Sequence, residues 1–256
     1  METIVLRFER IDSTNSAALD YAKRGADEGL VIVAAEQTAG RGRHGRIWHS
    51  AAGDGLYFSI ILRPTISIEN FPLLTLMAGV AAKDALEEFG VAVDLKWVND
   101  LLVKSRKIGG ILAETAETDR GPAVVIGIGI NLRSRAMPPE IAEIATAIEA
   151  ETGTLVSALS MESALIRYLV YFYDIISGPD GCLKIREEWQ KRSTYANGKF
   201  VRVTTEDAVI TGRTDGLEKD GGLRVITDSG LVVIRAGDVE NLRFEGASAA
   251  PEQRVD

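Results

Sequence analysis

The sequence predicts an α/β (α+β) fold: a mixed, largely antiparallel sheet with helices packed on it, followed by a small all-β unit. Three observations predict it. Strand-like and helix-like stretches alternate from the start of the chain to about Arg192. The connections at Asn99-Asp100 and Lys104 to Arg106 are too short for the crossover that parallel neighbours need, so the strands they join pair antiparallel. From Gly198 onward the texture changes to short apolar runs separated by Gly or Asp turns, which suggests a small β-barrel.

Each element has a local cause. Val5 to Phe8 reads as a short strand, and Asp12-Ser13 offers N-cap oxygens to a helix carrying Ala17, Ala18, Leu19, Tyr21 and Ala22, with Gly25 as its stop. Leu30 to Ala35 is a continuous apolar strand, followed by a Gly/Arg loop from Thr38 to Arg46. Leu56 to Leu62 is a strand ended by Arg63-Pro64. Leu73, Leu76, Met77, Val80 and Ala81 recur at helical spacing over Pro72 to Phe89, with Pro72 in the tolerated first turn. Val93 to Val98, Leu101 to Val103, Lys107 to Glu114 and Ala123 to Asn131 give four further strands. Periodicity then predicts helices over Pro138 to Thr152, Ser157 to Ser177 and Leu183 to Lys191. Phe200 to Thr204, Val209 to Thr214, Leu223 to Thr227 and Leu231 to Arg235 are the short strands of the C-terminal unit. The division expected is 1–192 for the main domain, 193–246 for the small one, and a frayed tail over 247–256.

The chain has 256 residues, 29 Lys+Arg against 37 Asp+Glu, and a net charge of −8. It is long enough to bury a real core, which excludes a tiny stapled scaffold. The charge argues against a protein that holds nucleic acid through its overall field. Cys182 is alone, so neither an intramolecular disulfide nor a zinc site built on cysteine pairs is available, and a reducing compartment fits best. No stretch reaches the roughly 18 apolar residues of a membrane span. A cytoplasmic protein is expected.

Against that acidic background, Gly40-Arg41-Gly42-Arg43-His44-Gly45-Arg46 packs three glycines and three arginines into seven residues. Glycines let a backbone approach a ligand, and arginines supply forked donors for phosphate or carboxylate, so the natural partner is a polyanion. The G-x-G-x-x-G spelling is not a dinucleotide fingerprint, because Ile47 to Gly55 shows no helical stripe. Nor is it a P-loop, since Arg46-Ile47 stands where Lys-Ser/Thr is required. The second cluster is Lys96-Trp97-Val98-Asn99-Asp100, with Lys107 seven residues on and Gly109-Gly110 after it. Asn-Asp at a hairpin is also ordinary turn chemistry. Lys107 beside two glycines is more telling, because Gly in a strand marks close approach of a ligand or another backbone.

Taken together, Ser13-Thr14-Asn15, the Gly40 to Arg46 loop with Trp48, Lys96 to Asp100, Lys107 to Gly110 and Gly127-Ile128-Gly129-Ile130-Asn131-Leu132 resemble the biotin protein ligases. Gly212 to Asp215, Leu223 and Ala236 to Val239 resemble that family's SH3-like C-terminal barrel. The resemblance implies a catalytic domain of the class II aminoacyl-tRNA synthetase/biotin synthetase-like fold. It also implies a two-step reaction: biotin and ATP give biotinyl-5′-AMP and pyrophosphate, then a lysine of a biotin carboxyl carrier protein takes the biotin. Met1 lies almost at the first strand, so the short form without an N-terminal DNA-binding domain is expected. No nucleic-acid or membrane partner is expected, and a homodimer is left open.

By the same resemblance, Ser13, Thr14, Asn15 and Gln37 would hydrogen-bond the ureido ring and nearby parts of biotin. Gly40, Gly42, Gly109 and Gly110 would allow its close approach. Arg41 and Arg43 would close over biotin and the adenylate, and Arg46 would hold phosphate. Lys107 would bind the carboxyl and α-phosphate oxygens. Trp48, Asn99, Asp100 and Asn131 would serve the adenylate side. Lys107, Arg41 and Asp100 form the expected catalytic set, with Asp100 also orienting the incoming amine. Mg²⁺ is expected with ATP, its ligands unassigned. A lipoate or octanoate ligase and a non-catalytic biotin sensor are the alternatives.

Overall fold

A computed structural model describes residues 1–135 and 137–241. The C-terminal tail expected over 247–256 and the last residues of the small domain, 242–246, lie outside the described residues. The strands are β1 (Ile4–Ile11), β2 (Leu30–Gln37), β3 (Gly55–Leu62), β4 (Asp94–Lys96), β5 (Asp100–Val103), β6 (Arg106–Ala116) and β7 (Ala123–Asn131), then β8 (Asn197–Thr204), β9 (Val209–Leu217), β10 (Leu223–Thr227), β11 (Gly230–Ile234) and β12 (Asp238–Asn241). The helices are α1 (Thr14–Lys23), α2 (Pro72–Glu87), α3 (Pro139–Ala142), α4 (Ile148–Thr152), α5 (Ala158–Ser177) and α6 (Gly181–Arg192).

The first seven strands form one sheet in the order β1-β2-β3-β7-β6-β5-β4. Only β1 and β2 pair in parallel, joined by the α1 crossover, while the other pairs are antiparallel. Helices α2 and α5 cover one face, where the main core gathers Leu73, Leu76, Met77, Val80, Ile126, Ile128 and Leu165. The opposite face is covered only in part. Ala18 and Ala22 of α1 pack there against Ile32, Ile61 and Val125, and the rest of that face, beyond the N-terminus of α1, is left open for a site.

The last five strands make an antiparallel sheet in the order β11-β10-β9-β8-β12, in keeping with the expected SH3-like unit. Its inner residues Val201, Val203, Leu223, Val225 and Val239 join the same core as the large sheet. Trp97 fixes the junction, its buried indole Nε1 donating to the Gly221 carbonyl at 3.0 Å. Strand β12 was outside the four strands expected from local pattern. It is pinned by pairing with β8 rather than by its own apolar run.

Two expectations need correction. The strand predicted over Val93 to Val98 stops at Lys96, and Trp97 to Asn99 turn the chain with a cis Trp97–Val98 peptide. The helix predicted over Pro138 to Thr152 is two short helices, α3 and α4. Between them the chain is drawn onto β6: Lys107 N donates to the Ile144 carbonyl at 2.8 Å, and Thr146 N donates to the Lys107 carbonyl at 2.9 Å. Asn131 Nδ2 adds a hydrogen bond to the Thr146 carbonyl at 3.0 Å. These partners satisfy the backbone outside a helix, so the helical period there does not decide the structure.

Candidate active site

The open part of the sheet face floors a cavity of about 690 Å³. The floor is made by alternate residues of adjacent strands: Gly110 and Leu112 of β6, Gly127, Gly129 and Asn131 of β7, and Tyr57 of β3. Two of these glycines admit no side chain. A Cβ at Gly127 would fall 2.0 Å from Asn15 Oδ1, and one at Gly129 would fall 2.4 Å from the Trp48 ring. The sheet is bare here so that Asn15 and Trp48 can lie flat upon it.

One end of the cavity is polar and built on the start of α1. Ser13 caps the helix, and Ser13, Thr14 and Asn15 are all buried. The Thr14 amide donates to Gln37 Oε1 at 2.8 Å, and Gln37 Nε2 donates to Ser50 Oγ at 2.8 Å. Ser59 Oγ donates to Asn15 Oδ1 at 2.6 Å and lies 2.8 Å from Thr14 Oγ1. Asn15 Nδ2 donates to Glu114 Oε2 at 2.9 Å. The network fixes which way each amide points, giving a preformed set of donors and acceptors.

The middle of the cavity is cationic. The register of β5 against β6 shifts by one residue between Leu101 and Leu102. Such a bulge changes which side of the strand a residue faces, and here it brings Lys107 to the cavity. Lys107 Nζ lies 2.5 Å from Asp100 Oδ1 and 5.5 Å from the centroid of the Trp48 ring. Lys96 Nζ approaches the other Asp100 oxygen at 2.9 Å. Burial pushes the Asp100 carboxyl up, but the charges of Lys107 and Lys96 and their hydrogen bonds outweigh it and hold its pKa below the usual carboxylate value. Asp100 is therefore a fixed anion and a poor base. Tyr195 closes the wall nearby, its phenol pushed up by burial and then by the charges of Asp94 and Asp100, so it stays a neutral hydroxyl.

The Gly/Arg loop lies across the cavity and is held at three points. Arg41 Nη2 meets Glu114 Oε2 at 2.6 Å, Arg43 Nη1 donates to Asn99 Oδ1 at 3.2 Å, and Arg46 pairs with Asp238 of the second sheet. His44 and Gly45 form its tip in left-handed backbone, with φ of 52° and 71°. Opposite the loop stand Met137, Pro138, Ile141, Ile144 and Ala145, on the segment tied to Lys107.

Residues 7–131 match the family described as Biotin/lipoate A/B protein ligase, and residues 198–240 match the Biotin protein ligase C terminal domain. The bifunctional ligase/repressor BirA of Bacillus subtilis is 35% identical over 235 residues, covering 90% of this chain and 71% of that one. The chain belongs to the biotin protein ligase family. A biotin–[acetyl-CoA-carboxylase] ligase of Mycobacterium tuberculosis is 33% identical over 239 residues, covering 90% of this chain and 86% of its own. Among solved structures, the biotin protein ligase of Aquifex aeolicus in complex with biotin and ATP superposes with a TM-score of 0.82 at 29% identity, covering 95% of this chain and all of that one.

Of the site residues read from the sequence of this ligase-family chain, Ser13, Thr14, Asn15, Gln37, Arg41, Gly42, Arg43, Arg46, Trp48, Asn99, Asp100, Lys107, Gly110 and Asn131 line one cavity. Gly40 and Gly109 do not. A Cβ at Gly40 would strike the Trp48 carbonyl oxygen at 2.4 Å, and one at Gly109 would strike Leu101 at 2.8 Å, so both serve packing. Asn131 acts on the chain, holding the 144–146 segment. Sequence reasoning missed Glu114, Tyr57, Tyr195, Asp238 and the wall from Met137 to Ala145. None of these carried a local signal; Glu114 lies on the same strand face as Gly110, but on a strand of mixed exposure.

Proposed function

We propose that this chain activates biotin with ATP and transfers it to a lysine of a biotin carboxyl carrier protein or domain. In the first step a biotin carboxylate oxygen bonds to the α-phosphorus, and the bond from that phosphorus to the bridging oxygen of pyrophosphate breaks. In the second a neutral lysine amine bonds to the acyl carbon, AMP leaves with the oxygen that joined it to the acyl group, and the amine loses a proton to solvent. Both steps gather negative charge on phosphate oxygens.

The observation that carries this reading is the placement of Lys107, which lines the cavity with its Nζ 2.5 Å from Asp100 and 5.5 Å from the centroid of the Trp48 ring. A preorganised cation there lowers the barrier where charge develops. In this reading Ser13, Thr14, Asn15 and Gln37 hold the ureido end of biotin over Gly127, and Trp48 walls its apolar part. Arg41 and Arg43 close over biotin and the adenylate, Arg46 holds phosphate, and the Asn131-held wall takes the nucleoside. Asp100 acts through Lys107, fixing its ammonium, rather than as a base toward the incoming amine. Excluding water protects the mixed anhydride until the carrier arrives.

Mg²⁺ enters as the companion of ATP. Among the described residues no group of three or more His, Cys, Asp or Glu side chains could hold a metal ion. Asp100 is already engaged by two lysines and Asp54 by Arg135. The phosphates are thus the proposed ligands of the ion. The proposed setting is the cytoplasm, where ATP is at hand and Cys182 stays reduced.

The test is ATP–pyrophosphate exchange by the purified chain with Mg²⁺ and biotin, lipoate, octanoate or no acid. Exchange that depends on biotin is expected. Exchange with lipoate or octanoate alone would assign the sister activity, and biotin binding without any exchange would make the chain a sensor.

A further inference from the structure

Glu114 joins the polar end of the cavity to the Gly/Arg loop through its side chain. Its residue on β6 shares a sheet face with Gly110 and Leu112, on the strand that carries Lys107. The same carboxylate oxygen, Oε2, accepts from buried Asn15 Nδ2 at 2.9 Å and from the Arg41 guanidinium at 2.6 Å. Asn15 belongs to the rigid polar end, fixed by Ser59 and by its own donation to the Leu112 carbonyl at 3.2 Å. Arg41 belongs to the loop and is 40% exposed.

An exposed ion pair alone would be worth little. This one differs because its acid is held in place by Asn15 and by β6, an interior strand of the sheet. We propose that Glu114 is a positioning residue, a latch that seats the Gly/Arg loop over the cavity and keeps the acyl-adenylate from water until the carrier docks. This rests on the ligase reading above. Loss of the latch opens a wasteful route: water bonds to the acyl carbon, AMP leaves with the bridging oxygen, and both protons of the water go to solvent as biotin and AMP are released.

The test uses the full-length chain and Glu114→Gln, which keeps an acceptor oxygen for Asn15 and removes the charge facing Arg41. With biotin, ATP and Mg²⁺ but no carrier, AMP released per adenylate formed should rise by about tenfold in Glu114→Gln. Arg41→Gln should raise it similarly, and the double variant no further than the larger single effect. Amide hydrogen exchange of residues 40–46 should be faster in Glu114→Gln than in the parent chain. Unchanged AMP release and unchanged loop protection would overturn the proposal, as would single effects that multiply in the double variant. Should the parent chain show no biotin-dependent exchange, the ligase reading falls. The loop exchange rates then still decide whether Glu114 is a latch.

Discussion

Lys107 and Asp100 face each other across the β5–β6 ladder with Nζ and Oδ1 2.5 Å apart, and Lys96 holds the other oxygen of the same carboxylate at 2.9 Å. One half-buried anion thus balances two cations on the cavity wall. The arrangement fixes the ammonium of Lys107 in space before any substrate phosphate reaches it, which is the condition for electrostatic preorganisation.

Removing that ammonium should cost most at the adenylation step. Lys107→Ala is expected to lower biotin-dependent pyrophosphate exchange by about 100-fold or more, the usual loss for one charge-stabilising donor. Circular dichroism should show the fold unchanged. Near-normal exchange in this variant would take Lys107 out of the chemistry.

The depressed Asp100 pKa gives a stability prediction with a definite sign. A carboxylate whose folded pKa lies below its unfolded value, about 3.9, stabilises the native state fully above that value. The contribution is lost as pH falls through the folded pKa. Melting temperature measured from neutral pH down through this range should therefore fall less steeply in Asp100→Asn than in the parent chain. Equal slopes would show that the two lysines do not hold the carboxylate.

The bare floor is testable by adding one carbon. In Gly127→Ala the new Cβ meets Asn15 Oδ1 at 2.0 Å, and Asn15 has no room to yield because its amide is hydrogen-bonded on both sides. Biotin affinity measured calorimetrically should drop by tenfold or more, equivalent to about 1.4 kcal/mol. The chain should still fold. An unchanged dissociation constant would mean that Asn15 is not part of the biotin pocket.

Trp97 makes one of the contacts between the sheets, and Trp97→Phe keeps most of its volume while leaving the Gly221 carbonyl without its donor. Urea unfolding should show a loss of about 1–3 kcal/mol, the cost of an unsatisfied buried group. A loss well under this range would place the junction's strength in its apolar contacts instead.

Much of this site could be read from local residue chemistry. The Gly/Arg loop, the Lys96 to Asp100 turn and Lys107 meet as their residue types suggested, because each lies on a short segment whose backbone needs are evident. Glu114 was hidden, since one acid on a strand of mixed exposure looks like ordinary surface. Asp238 stood out only as part of the Ala236 to Val239 resemblance, because its place in the site depends on Arg46. The Ile144 to Thr146 segment was misread as helix for a related reason. Its periodicity is helical, but Lys107 and Asn131 supply hydrogen bonds that no local pattern records.

The loop that covers the cavity has its fasteners on two different sheets. Arg41 is anchored to Glu114 of the large sheet, while the counter-charge of Arg46 sits 192 residues away on β12. A catalytic fragment cut just after α6 would retain every side chain proposed to touch biotin. It would nevertheless strip the indole of Trp97 of its acceptor and leave Arg46 without its acid. The small C-terminal sheet thus supplies one of the anchors of the Gly/Arg loop, and dividing the protein into an enzyme and an accessory would cut that anchor away.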